Sequence, residues 1–461
     1  MKRIGENMNT ASVKMTNTQP FRLFLSYLIP SCIGMFLMAV NILADGLFVS
    51  HGVGPEALAA VNISVPAYSV IFSISLGIGI GGAALYSIAL GEGKTQKARH
   101  IFTHSLVLAL VIIGTLASVS FFHAEWIAKA LGASGGILPL AADYLTILLG
   151  FALFYVIENI LSIFIRNDGN PNLAMAGLVI TSVFNMILNY IFIFKMDMGI
   201  KGAAYATAFA TIIGLLVLLT HFLRKNSVLR IIRFKPDRKT MYGILKTGLP
   251  SFIIEGSTAI MTLCCNLSFL HFAGASGITA FAIINNLHTV ILVIFIAIGS
   301  ALQPIVSFHY GLHMNGRLRR FLRLGIGTGL VFGVFFWIMS LFFGDALIRF
   351  FGDMPRDVSD YTRKGMALYF IGYVFLGMNM VYAEYYQAIK KIKLSSIIIL
   401  ARSLILFIPL LFTLPMLFGS MSIWLAFPLS EGLTALFIMF GRYKWKGFSP
   451  VTEKAKEENP V

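Results

Sequence analysis

Apolar runs of 20 or more residues recur along the whole chain, and nothing else in it constrains the fold as much. In hydrocarbon a backbone must satisfy its own N–H and C=O groups, so runs of this length become membrane-spanning helices. Twelve can be drawn. The first six cover about residues 22–49, 57–89, 101–123, 137–165, 171–194 and 200–223. The second six cover about 243–271, 275–308, 322–343, 360–388, 394–418 and 421–441. Charged residues make up only 12% of the 461, about half the soluble norm of roughly 25%. The expectation is an all-α polytopic membrane protein. No cleavable signal peptide is expected, because the first apolar run is too long for a signal h-region and lacks an A-x-A-like site.

The runs come as a duplicated set. Shifting the chain by 220 positions lays Pro250–Arg319 over Pro30–Arg99 without a gap, and 18 of the 70 pairs are identical. The identities include the punctuation: Pro30 with Pro250, Gly54 with Gly274, Gly79 with Gly299, Gly91 with Gly311. Breakers in register argue for a repeated unit rather than shared apolar composition. Two pseudo-symmetric six-helix bundles follow, an N-lobe at 22–223 and a C-lobe at 243–441. Residues 224–242 are a basic linker, and 1–21 and 442–461 are tails.

Charge sets the expected orientation. Leaving out Arg402 within span 11, 28 of the Lys and Arg residues fall on the side of the tails and the linker and seven on the other. The positive-inside bias then puts both termini in the cytoplasm of a plasma-membrane protein. The net charge of +16 is therefore a topology signal and an attraction to anionic lipid heads, not a nucleic-acid surface. Repeats with six spans begin and end on one side, so the halves are parallel repeats about an axis along the membrane normal, a transporter architecture.

One carboxylate stands out. Asp45 lies inside the first span, where an ionised group is costly unless it faces a cavity or a partner. Burial disfavours the charged form, which is what lets a carboxylate load and release a proton near neutral pH. Asn41 is one turn earlier on the same face. Asn185 and Asn189, in SVFNMILNY of span 5, are also four apart. Their amides can hydrogen-bond a carboxyl or ligate a hard cation, and can equally serve as interhelical glue. Thr207 in span 6 is a weaker signal among small packing residues. Asp45 is not duplicated, since Cys265 stands opposite it in the repeat.

Glu158, Glu255, Glu384, Arg402 and Glu431 lie in or near other spans. For these the favoured alternative to transport chemistry is structural pairing, with Glu384 and Arg402 an expected pair across spans 10 and 11. The three cysteines sit in apolar runs and suggest neither a disulfide framework nor a metal site. No G-x-x-x-x-G-K-[ST] loop, H-E-x-x-H, C-x-x-C or G-x-S-x-G is present, so ATP-driven transport and the common hydrolase chemistries are not expected.

Several stretches together resemble the MATE (multidrug and toxic compound extrusion) transporters, nearest to the bacterial DinF/MepA-like branch. They are NILADGLFVS and GVGPEALAAVNISVP, the span 2 end ALGEGKTQKAR, FIRNDGNP, NMILNY and GIKGAAYATAFA. In the second half LPSFIIEG, ALQPIVSFHYG and YYQAIKK agree, so the likeness runs over about residues 20–445. The resemblance implies twelve helices in two lobes and export of amphipathic or cationic small molecules, driven by inward H+ or Na+ without a cofactor. It implies a monomer in the lipid bilayer. It places Asp45, Asn41, Asn185 and Thr207 in an N-lobe cation site. Many members carry an aspartate where this chain has Asn189, and a single ionisable group favours H+ over Na+. Glu255 resembles an acid of some members' C-lobe sites. A lipid-linked oligosaccharide flippase of the wider superfamily is the alternative, opposed by the scarcity of intramembrane cations. A non-transporting sensor or scaffold is a third, and it leaves Asp45 without a purpose.

Overall fold

The computed structural model describes residues 10–225, 227–352 and 354–444, so of the expected tails 1–9 and 445–461 lie outside the described residues. Every regular element among the described residues is helical. A short α1 (Thr10–Asn17) precedes α2 (Pro20–Gly52), α3 (Pro55–Gly91) and α4 (Thr95–Phe122). Then come α5 (Ala124–Ala130), α6 (Ile137–Gly150), α7 (Ala152–Asn167), α8 (Pro171–Asn189) and α9 (Gly199–Leu219). The second half holds α10 (Arg238–Gly311), α11 (Asn315–Arg349), α12 (Arg356–Tyr369), α13 (Gly372–Ala388), α14 (Ile392–Leu400), α15 (Phe407–Phe418) and α16 (Ala426–Lys444).

Among the described residues nine helices are long and apolar enough to cross a membrane, and two bent pairs raise that to 11. The bends are 52° between α6 and α7 and 43° between α12 and α13, each in the fourth span of its half. The 74-residue α10 is two spans broken at Gly274, where φ is 63° and ψ −155°. Dividing it there gives the twelve spans read from the sequence. Gly54 makes the matching break between α2 and α3 with φ 126°, a conformation that glycine adopts without a Cβ clash. Other positive-φ residues also pair at the 220-residue offset: Gly93 with His313, Gly132 with Gly352, Gly199 with Gly419. The duplication thus extends to the turns, well past the stretch where sequence identity reveals it.

The chain divides into two compact units. One is built on Leu25–Phe252, the other on Pro20–Phe24 and the chain from Ile253. Large apolar side chains such as Leu47, Val111 and Phe342 are more than half exposed, as a lipid face requires. The interiors bury large rings such as Trp424, Tyr86 and Phe164 together with small and polar residues, which let helices approach where packing rather than water drives association. In the second unit Gly329 on α11 and Gly377 on α13 meet backbone to backbone, and a Cβ on Gly377 would lie 2.6 Å from the Gly329 carbonyl oxygen. In the first unit Gly248 on α10 approaches Gly77 on α3 more closely still, with 1.8 Å between an added Cβ and the Gly77 oxygen.

The stretch expected as a linker is non-helical only to Asp237, and α10 begins inside it at Arg238. Asp237 explains the start. Its carboxylate accepts from the Lys239 backbone N–H (3.0 Å) and the Thr240 hydroxyl (2.6 Å), satisfying first-turn donors. The Thr240 hydrogen bond holds that carboxylate below the usual carboxylate range. The linker is also strapped to α4. Arg99 Nε donates to the Val228 carbonyl (3.1 Å), and the Ile232 N–H donates to Thr103 Oγ1 (3.1 Å). His104 Nε2 lies 2.9 Å from the Lys235 carbonyl oxygen.

Candidate functional site

Five of the six residues singled out in the sequence converge in the first unit. The i, i+4 spacing on α2 brings Asn41 Nδ2 to 3.5 Å from Asp45 Oδ2. The same spacing on α8 aligns Asn185 and Asn189, and α8 packs so that Asn189 Nδ2 donates to Asp45 Oδ1 at 2.6 Å. Asn185 in turn lies 3.1 Å from Thr207 Oγ1 on α9. Asn185 and Asn189 are almost fully buried, while Asp45, Asn41 and Thr207 keep partial exposure. The α-helix gives way to a π-helical turn, Tyr190–Lys195, directly after Asn189. Such turns are frequent at functional sites. The sixth residue, Glu255, is half-buried on α10 and belongs to the second unit.

The O and N of the Asn185 amide are assigned from the hydrogen bonds they make, and the assignment decides what faces Asp45. In one, Nδ2 donates to Thr207 and Oδ1 accepts from Asn189 Nδ2 at 2.9 Å. That turns Oδ1 onto Asp45 Oδ1 at 2.6 Å, a contact between two acceptors that requires a proton on the carboxyl. In the other, Nδ2 donates to Asp45 Oδ1 (2.6 Å) and Asn41 Oδ1 (2.9 Å), and Oδ1 accepts from Thr207 Oγ1 (3.1 Å) and its backbone N–H (3.3 Å). This second arrangement suits the ionised carboxylate. It also sets Asn185 Nδ2 2.9 Å from Asn189 Nδ2, two donors facing, so neither placement of the amide satisfies every neighbour. Asn189 Oδ1 is buried without a hydrogen-bond partner, an acceptor left over beside the carboxyl.

The sequence reading missed Asp168 and misassigned the partner of Arg402, while Glu158 finds a structural partner as expected. Asp168, in the NDGNP turn after α7, accepts from Tyr86 Oη (2.7 Å), Ser227 Oγ (2.9 Å) and the Val228 N–H (3.2 Å). It also pairs with His221 Nε2 at 2.8 Å. It anchors the start of the linker, and an acid in a turn gives no sign of that from sequence. Glu158 accepts from the Thr181 hydroxyl across α7 and α8. The expected Glu384–Arg402 pair does not form. Arg402 Nε instead meets Glu431 Oε1 at 2.8 Å, from span 11 to span 12. The choice between two acids on neighbouring helices rests on their rotation about the helix axes, which charge and spacing do not reveal. Among the described residues no cluster of three or more His, Cys, Asp or Glu side chains could hold a metal ion.

Relatives agree with this architecture. A family model described as MatE matches residues 30–191 and 250–413, one stretch in each repeat. The multidrug export protein MepA of Staphylococcus saprophyticus is 25% identical over 427 residues, covering 91% of this chain and 92% of that protein. MepA of Staphylococcus aureus is likewise 25% identical, over 432 residues and with the same coverage. Among solved structures, the outward-facing conformation of a multidrug resistance MATE family transporter of the MOP superfamily has a TM-score of 0.89. It is 24% identical, over 94% of this chain and 98% of that one. A MATE crystal structure in the straight conformation has a TM-score of 0.88 at 23% identity, with the same coverage. At that identity the structures speak for the fold, and the family model, matching most of both repeats, speaks for kinship: the chain belongs to the MatE family.

Proposed function

We propose that this chain is a secondary active exporter of amphipathic and cationic small molecules, working by alternating access as an H+ antiporter with Asp45 as the proton carrier. The observation that carries the proposal is a carboxyl within the first span, Asp45, with the amides of Asn41 and Asn189 against its two oxygens. The outward state loads a proton on Asp45. Substrate and proton compete, so coupling is a difference in affinity between two states rather than a mechanical link. The proton leaves to the cytoplasm, and the site accepts substrate again. With an amide at Asn189 the cluster holds one ionisable group, which favours a single proton over Na+. The kinship with MepA proteins supports multidrug export. The basic bias supports an inner (plasma) membrane location with both termini cytoplasmic. The exporter works as a monomer, without a cofactor and without enzymatic activity.

Efflux of ethidium from proteoliposomes under imposed gradients tests this. Wild type is expected to follow a proton gradient and Asp45→Asn to lose gradient-driven efflux. Retained active efflux in the variant refutes the role of Asp45, and efflux driven by Na+ alone refutes the choice of ion. The flippase reading needs several intramembrane cations for a pyrophosphate. The one inside the second unit, Arg402, already has a carboxylate partner.

A further inference from the structure

The polar groups around Asp45 do not end at Thr207. On α8 Thr181, Asn185 and Asn189 stand at i, i+4 and i+8, so all three share one face. On α9 Thr207 and Thr211 are also four apart, and Thr211 Oγ1 donates to the Thr207 carbonyl (2.9 Å). Gly214, at the next turn of α9, faces Thr181. A Cβ there would overlap the Thr181 hydroxyl and lie 2.5 Å from Glu158 Oε1. A polar strip thus runs from Asp45 between α8 and α9 to a second carboxyl, Glu158 on α7. From Asn189 back to Thr181 is about 12 Å of helix. Because α8 follows the Asp168 turn that anchors the linker, Glu158 lies on the linker side of Asp45. Glu158 is 6% exposed. Its Oε1 accepts from the Thr181 hydroxyl, a neutral donor. Its Oε2 has no hydrogen-bond partner among the described residues and is not sealed off from open space. Among the described residues no Lys, Arg or His forms an ion pair with it. The titratable groups near it are phenols. Tyr68 on α3, its ring 4.9 Å from that of Tyr155 on α7, is within electrostatic range of Glu158 and of Tyr144, and Tyr144 is within range of Asp45.

Holding α7 to α8 does not need an acid. An amide at Glu158 would accept the same Thr181 hydrogen bond without a group that is costly to ionise in the membrane. What a carboxyl adds is the ability to take up and release a proton. Its open oxygen gives a proton a place to arrive, and threonine hydroxyls, which donate and accept at once, can hand one on. We propose that Glu158 is a second proton station of the antiport cycle, which takes the proton that Asp45 gives up and passes it to the linker side. The step balances. Asp45 loses its O–H bond, Glu158 gains one, and a proton leaves Glu158 for the cytoplasm, with water and the threonine hydroxyls bridging the gap. One proton still crosses per cycle. The inference names a further transport residue and rests on the export reading above.

The test compares two modes of transport by the full chain in proteoliposomes. Ethidium efflux driven by a proton gradient needs every proton step. Exchange of radiolabelled for unlabelled ethidium, without a gradient, needs only that the dye-loaded protein reorients. Glu158→Gln keeps the side-chain volume and the Thr181 hydrogen bond but cannot carry a proton. It should slow driven efflux at saturating dye at least about tenfold, a modest share of what a positioned proton-transfer group contributes. Exchange should stay within about twofold of wild type, because dye binding and reorientation are untouched. Glu158→Met, apolar and of similar length, carries the same expectation and serves if Glu158→Gln does not fold. Driven efflux at the wild-type rate overturns the inference. So does an equal fall in both modes, which marks a carboxyl that only holds α7 to α8. Asp45→Asn is run alongside. If it keeps driven efflux, or if wild type ignores the proton gradient, the export reading fails and takes this inference with it. Wild-type efflux by Glu158→Gln beside an inactive Asp45→Asn overturns the role of Glu158 alone.

Discussion

Asn189→Asp places a second carboxylate against the first. The two groups stand 2.6 Å apart in the native pair, Asn189 Nδ2 to Asp45 Oδ1. The substitution first removes a hydrogen bond to a charged group, worth about 1.5–3 kcal/mol. It then adds repulsion. Two unit charges at that distance cost about 6 kcal/mol at an effective dielectric constant of roughly 20. Both groups cannot stay ionised side by side, so the pair must keep one proton or take up a cation. An oxygen ligand for Na+ is at hand in the Asn185 amide, 2.9 Å from Asn189 Nδ2, with Thr207 Oγ1 one hydrogen bond further on. The expected outcome is that Asn189→Asp gains efflux driven by a Na+ gradient, where wild type responds to a proton gradient only. The assay is ethidium efflux from proteoliposomes with the Na+ and pH gradients imposed separately, at matched membrane potential. A variant that ignores Na+ and keeps the wild-type pH dependence refutes the reasoning, because the two side chains would then not share one desolvated space.

Other positions give simpler tests. Gly248→Ala drives a methyl into the Gly77 carbonyl, 1.8 Å from the new Cβ, so the folded state should lose at least about 1–3 kcal/mol. A lower Tm and a smaller monodisperse peak in detergent check it, and a Tm within one degree of wild type, a change well under about 1 kcal/mol, contradicts the close approach. Asp168→Ala orphans Tyr86, His221 and Ser227 and frees the start of the linker. Thiol labelling of a reporter cysteine at Ser227 should speed up at least about tenfold, as expected for loss of charged hydrogen bonds of about 1.5–3 kcal/mol each.

The candidate site was largely legible in the chain because its signal is local. An acid in an apolar run is costly wherever the run packs, so Asp45 was conspicuous without a fold. The i, i+4 spacing of Asn41 with Asp45, and of Asn185 with Asn189, fixed which side chains share a face. Which faces meet was not written there. That Asn189 rather than Asn41 makes the short contact follows from how α8 lies on α2. Arg402 shows the limit most clearly: Glu384 and Glu431 were equally available by charge, and only packing chose Glu431.

The sequence alone determined the solvent, the number of spans, the duplication and the position of one costly carboxyl, because hydropathy and repeated breakers act through local backbone and transfer energies. The tertiary structure decided the bends of the fourth spans, the π-helical turns after Asn189 and at Arg402, the strapping of the linker to α4 and the partners of Glu158, Asp168 and Arg402. Those depend on helix rotation and close approach between residues far apart in the chain. In a bilayer the hydrophobic effect does not select between apolar faces, so that choice falls to packing and hydrogen bonding in three dimensions.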